Sequence, residues 1–354
     1  MTKRKKWLLG SAVCLSALAV VLVALSRLHP EPRYQGRPLT EWISDLSNGN
    51  YQTQQVALAA IREMGPAAVP YLTNSLGQRD ALSLRIYRKN ILPRKVTDFA
   101  RRFIRWDSPV LESRSAAIAL TRLGSSAEAA VPSLVAALQD TSPLIAQTAA
   151  QALGSIGAPA LPALRERLEK AGPLELPYVF QALGAMNTNA APEAPAVAKF
   201  LASNQPGLAS RAGLALMQIG PASAPLVTNY ISETNTTMTS HALQVLRYLG
   251  PSAISMSNIV IPFCTNADPN LRITAVSTVA TWHGQTDLVG RIMVGALSDK
   301  DPKIVQYALG VLGLFPEEVK RHHNEIAELA SSSNTGIANT ASNLLVVWKE
   351  MGRR

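Results

Sequence analysis

A phrase of about ten residues returns along most of the chain, and this internal repeat limits the possible folds more than any other feature. Its clearest copies run over Val56–Gly65, Ser115–Gly124, Ala149–Gly157 and Ala212–Gly220. Less perfect copies end at Gly184, Gly250 and Gly284, and a divergent copy runs over Tyr307–Leu312. Gly124 and Gly284 lie 160 residues and five steps apart, so one unit takes about 32 residues. Such a period is the signature of a repeat protein.

Each unit has the pattern of a helical hairpin. Its first helix is rich in Ala and Leu and ends at a glycine, a residue that adopts the left-handed conformation of helix ends without strain. A proline then marks the start of the second helix, where a missing N–H costs nothing. These prolines are Pro70, Pro132, Pro162, Pro195, Pro225 and Pro262. The sequence therefore predicts an all-α array of about eight hairpins over residues 40–354.

The best copy of the full pattern is Arg114–Asp140, in which Arg, Ala, Leu and Gly of the first helix are followed by Pro, Leu and Asp of the second. This pattern resembles the HEAT-repeat family, in particular the short bacterial HEAT-like repeats of phycobilisome lyase proteins. The resemblance covers about residues 50–350 and implies a right-handed α-solenoid. With its basic N-terminus and the segment 34–42, the chain looks like membrane-anchored bacterial HEAT-repeat proteins.

The first 28 residues have the pattern of a membrane anchor. Lys3–Lys6 is basic, and Trp7–Ser26 carries no charge. Twenty helical residues span about 30 Å, the thickness of the bilayer core. We predict a transmembrane helix at about 7–26, a linker at 29–39 and a first soluble helix capped by Thr40. The cations before the span favour a cytoplasmic N-terminus in the bacterial inner membrane, with the solenoid periplasmic. Signal cleavage followed by secretion is the alternative.

A basic insertion interrupts the repeat, because Gly65 and Gly124 lie 59 residues apart. The extra residues are about 81–110, in which aromatic and basic side chains alternate. The candidate binding residues are Arg85, Arg88, Lys89, Arg94, Lys95, Arg101, Arg102, Arg105 and Trp106. Three interpretations stay open: packing on the array with a solvated basic side, contact with anionic lipid headgroups, or docking of an acidic partner or nucleic acid. An extracytoplasmic location makes nucleic acid the least expected partner.

The charge is confined to two segments. The chain has 34 Lys and Arg and 24 Asp and Glu, a net charge of +10. Residues 1–37 hold seven basic and one acidic residue, and residues 81–110 hold eight and two, which leaves 19 against 21 elsewhere. The array is therefore nearly neutral and is not a generally basic nucleic-acid-binding surface. The two cysteines exclude a disulfide scaffold.

No arrangement typical of catalysis is visible. None of the five histidines precedes a glutamate, and His322 and His323, the densest cluster, point about 100° apart on a helix. We predict no catalytic, cofactor or metal site, and a membrane-tethered scaffold whose concave face binds a protein or peptide. Candidate contact positions on the second helices are Tyr71, Asn74, Arg167, Lys199, Asn229 and Tyr230. The alternative from another class is a HEAT-like enzyme, either bilin lyase-like or metal-dependent.

Overall fold

The computed structural model describes residues 31–77, 109–205, 207–282 and 284–351. The chain divides into two compact units, Met1–Ala137 and Leu138–Arg354. The predicted transmembrane helix and almost all of the basic insertion lie outside the described residues. Within the described part, no helix combines the length and the apolar character that crossing a membrane requires.

The first unit begins with a small β-hairpin inside the predicted linker. Strands β1 (Arg33–Tyr34) and β2 (Arg37–Pro38) are antiparallel. Gln35 and Gly36 between them both have positive φ, at 50° and 79°, as the tightest hairpin turns require. The Arg37 guanidinium lies 3.9 Å from the ring centroid of the buried Trp42. The hairpin and the contact between Arg37 and Trp42 therefore form an ordered cap before the first helix.

After the hairpin, the described residues of the first unit form five α-helices: α1 (Leu39–Asn48), α2 (Tyr51–Met64), α3 (Val69–Gly77), α4 (Pro109–Leu123) and α5 (Val131–Ala137). Short 3₁₀ helices, Gly65–Ala68 and Gly124–Ala130, connect α2 to α3 and α4 to α5. The predicted cap at Thr40 is wrong, because α1 begins one residue earlier and the Thr40 N–H donates to Glu31 Oε1. Helix α4 packs against α1, α2 and α3, with Ser47 Oγ and Ser115 Oγ 2.8 Å apart.

The second unit continues the alternation of a long first helix and a short second helix. Its α-helices are α6 (Pro143–Ile156), α7 (Leu161–Lys170), α8 (Leu176–Ala185), α9 (Ala194–Ala198), α10 (Leu208–Ile219), α11 (Ala224–Val227), α12 (Thr236–Leu249), α13 (Ser257–Val260), α14 (Pro269–Ala280), α15 (Thr286–Ala296), α16 (Pro302–Leu312), α17 (Pro316–Arg321), α18 (His323–Leu329) and α19 (Thr335–Met351). The 3₁₀ helices are Ala158–Ala160, Asn187–Glu193, Lys199–Ala202, Pro221–Ser223, Thr228–Tyr230, Gly250–Met256 and Ile261–Thr265.

The first helices of the second unit pack side by side in chain order, from α6 through α8, α10, α12, α14 and α16 to α19. The described residues of the chain contain eight helix pairs, two in the first unit and six in the second, in agreement with the predicted number. The handedness of the array stays a prediction.

The predicted prolines and most of the predicted glycines occupy the expected positions. All six prolines are the second residue of their helix, within the first turn. Five glycines that close first helices have positive φ: Gly65, Gly124, Gly157, Gly220 and Gly250. The predicted closure at Gly184 is wrong. Helix α8 continues to Ala185, and Asn187 takes the positive φ, at 51°. Gly184 instead lies under Gln218 of α10, where a Cβ would come within 2.0 Å of the amide oxygen.

The core consists largely of alanines and leucines at helical spacing. In α10, Ala212, Ala215, Leu216 and Ile219 are buried, so the small residues let neighbouring helices approach closely. Trp282 is the largest fully buried side chain among the described residues. It lies two residues after the end of α14 at Ala280 and two residues before Gly284, so this helix ends before the predicted glycine.

Candidate functional site

The basic insertion predicted as a binding segment lies outside the described residues, apart from Pro109 and Val110, which begin α4. Its eight basic residues and Trp106 therefore keep the status of predictions. The candidate surfaces that the structure does describe are those of the paired helices.

The predicted contacts on the second helices differ in their accessibility. Asn74, Lys199 and Asn229 are exposed, whereas Tyr71 and Tyr230 are half-buried. Burial raises the pKa of the Tyr230 phenol.

Arg167 is a structural residue, which corrects its prediction as a contact position. Its guanidinium donates two hydrogen bonds to Glu175, whose side chain is buried. Gln139 Nε2 also donates to Glu175 Oε2, at 3.2 Å. The resulting network joins α7 to the residue that precedes α8, and these hydrogen bonds raise the pKa of Arg167. A buried carboxylate without this partner would be strongly destabilising.

The first helices of the second unit share a composition that the sequence analysis missed. The six first helices α6, α8, α10, α12, α14 and α16 contain no Asp or Glu at all. Their only Lys and Arg residues are Arg211, Arg247, Arg272 and Lys303. We give the name acid-free face to a set of exposed and half-buried residues on five of these helices, all but α14. It comprises Leu144, Gln147, Gln151, Gln181, Ser210, Arg211, Leu214, Gln218, Gln244, Tyr248, Gln306 and Tyr307.

Helical periodicity places these side chains in equivalent registers. Gln151, Gln181, Leu214 and Gln244 each lie six residues before the residue that closes their unit. The helices that carry them pack side by side, so the four side chains belong to one row across the second unit. Leu214 and Tyr248 are 57% and 66% exposed, although both are large and apolar in character. Single exposed apolar residues are ordinary, and here two of them lie on neighbouring first helices.

Ser210 and His241 connect α10 and α12 on this face. Ser210 Oγ lies 3.0 Å from His241 Nε2. Nδ1 of the half-buried imidazole has no hydrogen-bond partner among the described residues, and burial lowers the pKa of His241. A cavity of about 320 Å³ lies beside the pair, lined by the first turns of both helices and by residues 201–205. The cavity is polar, and no acidic side chain lines it.

The histidine cluster near the C-terminus has local partners. His322 Nδ1 lies 3.3 Å from Glu325 Oε2, and the ring of His323 lies 5.2 Å from that of Trp348. Across the described parts of the chain, no three His, Cys, Asp or Glu side chains are grouped closely enough to hold a metal ion.

Comparisons with known proteins concern the repeats. A family model described as HEAT repeats matches residues 104–175. No protein of the curated collection matches the sequence. Among solved structures, an engineered protein from the Northeast Structural Genomics Consortium is 14% identical, with 88% of each chain covered and a TM-score of 0.40. The karyopherin Kap121p, solved bound to the extreme C-terminus of the protein phosphatase Cdc14p, is 12% identical with a TM-score of 0.48. The match covers 86% of this chain and 37% of the karyopherin.

Proposed function

We propose that this chain, which is a HEAT-repeat protein, is a scaffold that binds another protein through the acid-free face of its second unit. The observation that carries the proposal is the absence of Asp and Glu from six consecutive first helices, four of which expose a Leu or Tyr side chain. The centres of protein interfaces are depleted in acidic residues and Lys and enriched in aromatic residues and Arg. The proposal includes no catalytic step.

Two neighbouring side chains are the expected centre of this interface. Leu214 on α10 and Tyr248 on α12 are exposed and lie on helices that pack against each other. Tyrosine is enriched among the residues that contribute most to binding, because it buries a large area and still offers a hydroxyl. Arg211, also exposed on α10, adds a positive charge that an acidic or neutral partner would tolerate.

The glutamines of the acid-free face suit an extended polypeptide. Each carboxamide has both a donor and an acceptor, so it pairs with the N–H and C=O of a peptide backbone. Exposed or half-buried examples recur on α6, α8, α10, α12 and α16. A row of such groups recognises the main chain of a partner, while the aliphatic and aromatic positions recognise its side chains.

The test compares charge introduced on the first helices with charge introduced on the second helices. We expect Leu214→Glu combined with Tyr248→Glu to reduce the partner recovered by crosslinking and pulldown from native membranes by about tenfold or more. The matched control is Lys199→Glu combined with Asn229→Glu. Both residues are exposed and lie in the 3₁₀ helices that continue the second helices α9 and α11, and we expect this variant to retain the partner. If the control variant loses the partner and the first-helix variant keeps it, the partner binds the second helices instead.

We also propose that residues 7–26 tether the scaffold to the bacterial inner membrane, with the repeats on the periplasmic side. The support is the uncharged run after Lys3–Lys6, which is long enough to cross the hydrocarbon core. The alternative is secretion after signal cleavage. The tethered and the secreted forms differ in the length of the mature chain, because cleavage removes the N-terminal segment.

A further inference from the structure

A groove of about 560 Å³ lies where α14 and α15 meet the turns on either side of them. Its lining comes from Cys264 and residues 265–267, from Arg272 and Val276 of α14, from α15, and from the turn Ser298–Lys300. The volume falls within the range of about 300–1,000 Å³ that ligand sites occupy. None of these residues belongs to the acid-free face.

The lining of the groove carries more positive than negative charge. Arg272 donates two hydrogen bonds to Asp299, both at 2.8 Å, so the single acidic side chain that lines the groove is already paired. Arg291 and Lys300 are exposed, and their side chains have no ion pair or hydrogen bond with the described residues. Two basic groups therefore remain available to a ligand.

Two nearby carboxylates cap helices. Asp268 caps α14 by accepting from the Asn270 N–H, and Asp301 caps α16 by accepting from the Lys303 N–H. Neither side chain lines the groove. Helix capping holds both carboxylates against backbone N–H groups, so they do not reach across to Arg291 or Lys300.

Apolar groups line the rest of the groove. Val276, Ile292 and Ala296 contribute aliphatic surface, and Cys264 is largely buried, which raises its pKa to about 12. A neutral thiol behaves as a small apolar group. Gly295 leaves the groove wide, because a Cβ at this position would meet no atom within 4 Å. The site thus combines aliphatic surface with two unpaired cations.

From this charge complementarity we infer that the groove binds an acidic segment of a polypeptide, with carboxylates paired to Arg291 and Lys300 and an apolar side chain against Val276 and Ile292. Arg offers a planar fork for a carboxylate, and Lys offers a point charge. An open groove lined by aliphatic groups suits a peptide with both side-chain types. The inference goes beyond the proposed function and uses a separate set of residues.

The test uses the full chain in detergent and three fluorescent octapeptides, which alternate Leu with Glu, Gln or Lys. We expect only the Glu–Leu peptide to bind in fluorescence anisotropy, and its affinity to fall as salt is raised because exposed charges are screened. Equal affinity for the Gln–Leu or Lys–Leu peptide, or no binding of the Glu–Leu peptide, would overturn the inference.

Two variants with matched controls locate the binding. Lys300→Glu should weaken the binding of the Glu–Leu peptide about tenfold. Lys199→Glu, in the 3₁₀ helix that follows α9, should leave this binding unchanged. Gly295→Leu should block the groove without a clash. Its control is Gly310→Leu, because Gly310 is also an exposed helical glycine with open space around it. Unchanged binding in both groove variants would contradict the inference. Leu214→Glu with Tyr248→Glu separates the two proposals, since it should leave this peptide bound.

Discussion

The backbone of Gly157 shows at residue scale how one repeat unit ends. Its φ of 77° and ψ of −138° lie near a region that is essentially restricted to glycine. Its N–H donates to the carbonyl of Leu153, and the chain then turns into the 3₁₀ helix Ala158–Ala160. The space around it is open, since a Cβ would meet no atom within 4 Å. Backbone strain alone therefore opposes a side chain at this position.

We expect Gly157→Ala to lower the free energy of unfolding by about 1–3 kcal/mol, because alanine would have to adopt the strained conformation. The matched control is Gly310→Ala. Gly310 lies within α16 with equally open space, so alanine there should raise the free energy of unfolding by about 0.5–1 kcal/mol. Urea unfolding midpoints measure both. A destabilised Gly310→Ala or an unaffected Gly157→Ala would contradict the backbone explanation.

Residue-scale prediction from the sequence succeeded where a short local pattern decides the conformation. The closing glycines and the second-helix prolines depend on their own φ angles and missing donors, so they could be read directly. Gly184 was misassigned because a helical glycine and a closing glycine look alike in sequence. Its role is a close contact with Gln218 of the next first helix, and Asn187 takes the turn. Neither fact follows from local pattern.

At element scale, side-chain hydrogen bonds hold the turns between helices against the helices they connect. Arg272 on α14 donates to the carbonyls of Asn266 and Ala267 in the turn before it and to Asp299 in the turn after it. Asp299 also accepts from the Asp301 N–H, at 2.8 Å. The pair with Arg272 lowers the pKa of Asp299 and raises that of Arg272. One arginine thus holds two turns against the same helix.

We expect Asp299→Asn to destabilise the second unit by about 1.5–3 kcal/mol at pH 7, the contribution of hydrogen bonds to a charged group. Because the pKa of Asp299 is lowered in the folded state, this stabilisation is complete above the unfolded pKa of about 3.9. It is lost as the pH falls through the folded pKa. The difference between wild type and variant should therefore shrink from pH 7 to pH 3 in urea titrations. The exposed Glu233→Gln is the control, and a difference independent of pH would contradict the assignment.

The partners of these charged residues could not be predicted from sequence. Arg165 binds the buried Glu193, which lies 28 residues later, and Arg272 binds Asp299, 27 residues later. Both separations are shorter than the unit of about 32 residues, and a shift of one helical residue would turn either side chain away. The absence of acidic residues from the first helices, by contrast, could have been predicted from the sequence. To find it, acidic residues have to be counted for each helix separately instead of for long segments of the chain.

At the scale of the whole molecule, charge is distributed unevenly among parts with different roles. The excess positive charge lies in residues 1–37 and 81–110 of the sequence, whereas the six first helices α6, α8, α10, α12, α14 and α16 carry no acid. The first helices α2 and α4 of the first unit do carry acidic residues, Glu63 and Glu112. The absence of acid therefore belongs to the surface proposed to bind protein and not to first helices in general.

We expect the full chain to remain in the membrane pellet after an alkaline carbonate wash, and a chain lacking residues 1–28 to appear in the supernatant. Leu18→Arg places a charge at the middle of the proposed span and costs about 2.5–3.5 kcal/mol of insertion free energy. It should shift the full chain toward the supernatant, whereas Ser26→Arg at the edge of the span should not. Extraction of the unmodified chain by carbonate would contradict the tether.

The two buried tryptophans give each unit its own optical reporter. Trp42 lies beneath Arg37 in the first unit, and Trp282 is enclosed in the core of the second. A buried indole emits at shorter wavelength than a hydrated one, so solvent entry into either core changes its spectrum. Trp7, Trp106 and Trp348 also fluoresce, so the chains to compare retain only Trp42 or only Trp282, with Phe at the other four positions. They would show whether the two units unfold together or one after the other.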